Sequence, residues 1–129
     1  NPMKTSLDID NVIKILIKKK ADSVIGVTKL EDHHPLRIKK IVNGKLKDFN
    51  KLLKEIPETH RQQLKPDAFI RNGSIYAVKR NMITKKKRYG SKNSIPYIMG
   101  SMNSINIDEK KDLELFKILL KKKWRIFLV

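Results

Sequence analysis

A helix-forming stretch followed within two residues by a β-branched run sets the narrowest limit on how this chain folds. Thr5 or Ser6 stands where a helix N-cap belongs, and Asp8 and Asp10 fall in the first turn. Ile9, Val12, Ile13, Leu16 and Ile17 then recur at helical spacing, and Lys18, Lys19 and Lys20 close the last turn. Ala21 and Asp22 lead into "SVIGVTKL", residues 23–30, which is strand-long and β-branched but alternates poorly. That is the pattern of a strand covered on both faces. A helix feeding such a strand predicts an α/β layer.

Downstream, Pro35 interrupts "EDHHPLR", and "IKKIVNGKLKDF" reads as a hairpin turning at Asn43-Gly44. Residues 50–68, with Pro57 and Pro66, read as a loop holding one short helix. The strand "GSIYAVKR" follows, then a short helix over 81–86, a glycine-containing loop and the strand "IPYIMG". A short extended piece runs into Asp108, where the N-terminus of the last helix is expected. Leu113, Phe116, Leu119 and Leu120 form that helix's apolar face. The order is helix, strand, hairpin excursion, strand, helix, strand, helix. It lacks the first strand and phosphate-binding loop of a doubly wound sheet, and no glycine-rich nucleotide loop occurs.

At 129 residues with 40% apolar content the chain suits one domain. Without cysteine it forms no disulfide or thiolate metal site. Its apolar stretches fall short of the roughly 20 residues of a membrane span, and no signal peptide is visible, so a soluble, cytoplasmic protein without a membrane partner is expected. The net charge of +17 attracts nucleic acid or anionic surfaces. It is carried by 24 Lys against 6 Arg, with only 6% aromatics, whereas base-reading and single-strand interfaces favour Arg and stacking rings. A basic nucleic-acid-binding module is therefore the alternative reading and not the leading one.

Four polar groupings bear on chemistry. Glu31, Asp32, His33 and His34 suggest a metal site, but neighbours on extended backbone face opposite ways and His60 is distant in sequence, so no zinc centre is expected. Arg61, Gln62 and Gln63 combine a planar cationic fork with two amides, suited to a substrate bearing a carboxylate and hydroxyls, or else a solvated loop. Asn72-Gly73 reads as a turn at a strand entrance, where Asn72 can present its amide. Asn106 and Asp108, two apart on extended backbone, share one face and suit a hard cation such as Mg2+. A plain helix cap at Asp108 competes with that role.

The order of these pieces says more than each alone. "NPMKTSLDIDN", "ADSVIGV", "HHPLR", "RQQL", "NGSIY" and "SINIDEKKDL" together closely resemble the CMP-sialic acid synthetase (acylneuraminate cytidylyltransferase) family, over residues 1 to about 120. The resemblance starts just inside the family's Gln-Pro-Thr-Ser-Pro-Leu-Arg segment, with Pro2, Met3 and Lys4 where Pro, Leu and Arg are usual. It implies an α/β fold: the C-terminal half of a Rossmann-like, glycosyltransferase-A-like mixed sheet, without the nucleotide-binding part. The excursion over 33–69 would then be a dimerisation element reaching a partner's active site, and the molecule a homodimer.

The implied reaction is transfer of CMP from CTP to a sialic-acid-like nonulosonic acid, with Mg2+ assisting departure of pyrophosphate. By the same resemblance Arg61 takes the family's essential Arg position, with Gln62 and Gln63 beside the sugar acid. Asn72 and Tyr76 match the "NGAIY" strand of the acceptor pocket, and Arg37 takes the basic place after "HHPL". Asp108 matches the second carboxylate of an Asp-Ile-Asp metal motif. Asn106 stands where many members carry the first Asp, which removes one charge from the metal site. This segment alone is expected to be inactive. The terminal "WRIFLV" has no counterpart in that pattern.

Overall fold

In the computed structural model, which describes residues 1–50, 60, 63–84 and 92–126, with side chains through residue 121, Thr5 caps helix α1 (Ser6–Lys18). The cap is reciprocal: Thr5 Oγ1 accepts from the Asp8 N–H at 3.2 Å, and Asp8 Oδ2 accepts from the Thr5 N–H at 2.8 Å. Two N–H groups that the first turn leaves without helical partners are thereby satisfied. At the other end the Lys20 N–H reaches Ile17 O and the Ala21 N–H reaches Leu16 O, closing the helix with Lys20 in left-handed backbone at φ +49°.

The chain turns directly into β1 (Ser23–Lys29), the middle of a three-stranded sheet ordered β4-β1-β5. β5 (Ser94–Ile98) runs parallel to β1, with Ser23 opposite Ser94 and Val27 opposite Ile98. β4 (Phe69–Val78) runs the other way: its outgoing Lys79 N–H pairs with Asp22 O, just before β1 begins. The sheet is mixed and the class is α/β. Ser23, Val24, Ile25 and Gly26 are all buried, as expected for a strand covered on both faces.

By Cα proximity the chain divides into two compact units, Asn1–Thr28 with Arg71–Val129, and Lys29–Ile70. The core of the first is Val12, Ala21, Val24, Ile75 and Met99, with Ile15, Leu16 and Tyr97 packed against it. The inward face of α1 is thus rotated from the one expected. Ile9 and Ile13 are half exposed and Ile17 is 71% exposed, while Ile15 joins the core. The Tyr97 hydroxyl ties β5 to α1 by donating to Asp8 Oδ1 at 2.8 Å. Short helix α2 (Arg80–Thr84) follows β4, and α3 (Lys110–Ile126) ends the unit. No helix among the described residues is long and apolar enough to cross a membrane.

The second unit holds the hairpin β2 (Lys39–Val42) and β3 (Lys45–Asp48), turning at Asn43 and Gly44 with φ +51° and +70°. Both signs fit the two-residue turn that matches strand twist. Ile41 faces Leu46 across the ladder, and both are exposed. Elsewhere in the unit the buried His34 ring accepts the Leu36 N–H at Nδ1 and donates from Nε2 to Pro66 O at 2.9 Å. Both ring nitrogens are engaged within the fold. Most of the loop and helix expected over 50–68 lies outside the described residues.

Two expected boundaries move. The second long strand begins at Phe69 and not at Gly73, so Asn72-Gly73 lies inside a ten-residue strand. The last helix begins at Lys110, and its N-terminal carboxylate is that of Asp112, not Asp108. Asp112 Oδ2 accepts the Asp108 N–H at 3.0 Å and the Glu109 N–H at 2.9 Å. Those two backbone donors hold the Asp112 carboxyl below the usual carboxylate range.

Candidate functional site

Three chain segments meet around Asn72 within the first unit: the end of β1, the kink in β4, and the stretch after β5 that includes a one-turn 3-10 helix, Ser101–Ser104. Parallel β1 and β5 both point their C-terminal ends toward this region, where open α/β sheets hold their ligands. The kink has a definite cause. Gly73 takes φ +68°, which a side chain disfavours, and Asn72 Oδ1 accepts the Ser74 N–H at 3.0 Å across the distortion.

The Asn72 amide is fully engaged. It is buried, and its Nδ2 donates to Ser104 Oγ at 3.0 Å, with Thr28 Oγ1 at 3.3 Å and Met99 Sδ at 3.2 Å beside it. The Thr28 hydroxyl donates to Ser104 Oγ at 2.6 Å, and Ser104 in turn donates to Gly100 O at 2.9 Å. From outside, Asn106 Nδ2 donates to the Asn72 carbonyl at 2.7 Å. Backbone approach here requires Gly26: a Cβ there would lie 2.8 Å from Asn72 Oδ1 and 2.9 Å from Ile75 Cγ2. Asn72 thus faces inward, where the sequence suggested an amide presented at a strand entrance.

Tyr76, two residues past Ser74, is 38% exposed. It lines a groove of about 390 Å³ between α1 and β4, with Lys4, Ile9, Ile13 and Ser74. Lys4 Nζ donates to the Ser74 carbonyl at 2.8 Å, so the N-terminal segment reaches the same strand. Ser74 Oγ is buried without a hydrogen-bond partner. No individual role for Thr28, Ser74 or Ser104 follows from the sequence, and Lys4 enters there only as the residue in the place of a usual Arg. Only the glycine at 26 within a β-branched run hinted at close backbone approach.

Asp108 is exposed, two residues beyond Asn106. Among the described residues no three His, Asp or Glu side chains gather as a metal-binding group. The Asn106 and Asp108 pair offers one neutral and one anionic oxygen from a single short segment. Those donors suit Mg2+, which takes one or two protein carboxylates and fills its octahedron with water and phosphate oxygens. Since Asn106 Nδ2 is committed to Asn72 O, the side-chain oxygen is the Asn106 atom left for such a cation.

The remaining candidates belong to the second unit. Arg37 ends a 3-10 turn, Pro35–Arg37, and is exposed, as is Gln63. Arg61 and Gln62 lie outside the described residues. In this unit Asp67 bridges Lys29 at 2.7 Å and Lys65 at 2.8 Å, and these hydrogen bonds lower its carboxyl to about 2. The three line a cavity of about 320 Å³ together with Glu31, His34 and Leu64. No family model matches the chain.

Proposed function

We propose that this chain carries the acceptor-binding part of a cytidylyltransferase, which moves CMP from CTP to the 2-hydroxyl of a sialic-acid-like nonulosonic acid and releases pyrophosphate. The finer fold reading that goes with it is the C-terminal half of a Rossmann-like, glycosyltransferase-A-like nucleotidyltransferase. The observation that carries the proposal is the contact between two motifs 34 residues apart, "NGSIY" and "SINID", through the 2.7 Å bond from Asn106 to Asn72. Both motifs lie where the parallel strands β1 and β5 end, at the edge that serves ligands in α/β sheets.

In this reading the hydroxyl oxygen of the sugar acid attacks the α-phosphorus of CTP, the bond to the β-phosphate oxygen breaks, and the hydroxyl proton is lost to solvent. Positioning and charge carry such chemistry. Arg61 and Arg37 supply cations for the carboxylate and phosphates, and Gln62 and Gln63 hydrogen-bond the sugar hydroxyls. Tyr76 shapes the acceptor wall. Asn72 acts by holding β1, β4 and the Asn106 segment in register, not by touching substrate. Asp108 and Asn106 would hold Mg2+, which when bound offsets the charge that builds on departing pyrophosphate. The segment with the exposed Ile41 and Leu46 is the dimerisation element, so the partners are CTP, the sugar acid and a second copy.

The test is titration of the 129-residue chain with N-acetylneuraminate, legionaminate and pseudaminate, followed by saturation-transfer NMR. Saturable binding of at least one, weakened by Arg61→Ala and Arg37→Ala, is expected. Absence of binding by all three would remove the proposal.

A further inference from the structure

At the opposite end of β1 from Asn72, three segments of the first unit are tied into one corner. Lys79 Nζ donates to Lys20 O at 2.9 Å, and Asn93 Nδ2 donates to the same carbonyl at 3.1 Å. The Asp22 N–H pairs with Asn93 O, and the Lys79 N–H pairs with Asp22 O. The bonds bring together the end of α1, the β4–α2 junction and the approach to β5. These carry Lys18, Lys19 and Lys20, then Lys79 and Arg80, then Lys92.

Six cations therefore share one corner with Asp22, whose carboxylate lies 3.3 Å from Lys79 Nζ. Lys18, Lys19, Lys20, Arg80 and Lys92 are exposed, and none is ion-paired to a described carboxylate. Part of the charge answers the helix dipole, since α1 ends here and cations favour a helix C-terminus. That accounts for Lys18 and Lys19 but not for Arg80 or Lys92. Lys20 is a separate matter. It occupies the left-handed closing position of the helix, φ +49°, a backbone conformation that glycine adopts without steric penalty.

We infer that this corner binds the phosphate backbone of nucleic acid, read for charge and not for sequence. Lysine ammonium groups contact phosphates as point charges, whereas base reading relies on the planar fork of Arg or on amides. An interfacial helix for anionic lipid would place its cations along its own polar face. Here Lys79, Arg80 and Lys92 come from segments other than α1 and its C-terminal cap, which favours a chain of phosphates crossing the corner. This surface is independent of the acceptor site proposed above.

The experiment is fluorescence anisotropy with the whole chain, a labelled mixed-sequence DNA duplex and a labelled oligo(dU) strand, between about 50 and 200 mM salt. Affinity should fall steeply with salt, with little difference between sequences. Lys18→Gln/Lys19→Gln/Lys92→Gln should weaken duplex binding about tenfold or more and reduce the log–log salt slope by about 2 to 3. Lys40→Gln/Lys45→Gln/Lys47→Gln in the hairpin removes the same charge from another segment of the chain and should change binding far less. Equal losses in the two triple variants would overturn the inference, because total charge alone would then explain binding. So would no binding by the parent chain, or capture by phosphatidylserine vesicles without capture by nucleic acid.

Discussion

The side-chain amide of Asn106 donates to the backbone carbonyl of Asn72 across 2.7 Å, joining the segment before α3 to the kink in β4. An aspartate at 106 cannot make this bond and would set a carboxylate oxygen against a carbonyl. Asn106→Asp should therefore lower stability by about 1 kcal/mol in urea unfolding without metal. The new carboxylate should also raise Mg2+ affinity, so added Mg2+ should recover part of the loss. No destabilisation without metal would mean the hydrogen bond contributes nothing.

Gly26→Ala tests the close approach of β1 to β4. Its Cβ would stand 2.8 Å from Asn72 Oδ1 and 3.1 Å from the Ile75 carbonyl, one contact being backbone that cannot swing away. A loss of roughly 1 to 3 kcal/mol is expected from overpacking. Gly100→Ala is the control, since a Cβ there meets nothing within 4 Å. Denaturant midpoints of the two variants should separate clearly, and equal midpoints would contradict the tight junction.

Ser74→Ala removes a buried hydroxyl that has no hydrogen-bond partner. Burying such a group costs free energy, so the variant should be as stable as the parent or more stable by about 1 kcal/mol. A lower thermal midpoint would show that the hydroxyl has a partner in solution.

Acid unfolding follows from three carboxyls whose folded values are lowered. Asp67 is held at about 2 by hydrogen bonds from Lys29 and then Lys65. Asp8 is lowered by the Thr5 N–H and then the Thr5 hydroxyl, and Asp112 by the N–H groups of Asp108 and Glu109. Each contributes stability that is present above the unfolded carboxylate value, near 4, and is lost as pH falls through the folded one. The urea midpoint should hold down to about pH 5 and decline between about pH 4 and 2. Asp67→Asn should flatten the lower part of that decline. An unchanged profile in Asp67→Asn would show that the bridge to Lys29 and Lys65 does not persist in water.

Local signals were legible wherever a short stretch dictates its own geometry. Thr5 with Asp8 announces a capped helix, and Asn43-Gly44 announces a hairpin, because each pair satisfies or permits a specific backbone conformation by itself. Asn72-Gly73 is the same dipeptide used differently. Long-range partners, Thr28, Ser104 and Gly26, hold it inside a strand, and no window of sequence around it contains them. The start of α3 is ambiguous in sequence for a related reason. Asp108 and Asp112 both suit a helix start, and only the helix register decides that Asp112 receives the backbone donors. The apolar stripe of α1 spans more than half its circumference, so periodicity alone left open which edge faces the sheet.

That Asn72 faces inward also separates two properties that a ligand-binding strand usually entangles. Its amide, with Thr28, Ser104 and Gly26, forms a fixed hub, while Tyr76 and Lys4 line the accessible groove on the α1 side of the same strand. A library aimed at this groove can randomise Lys4, Ile9, Ile13 and Tyr76 and leave the hub intact. Selection would then sample new specificities without first having to rescue the scaffold.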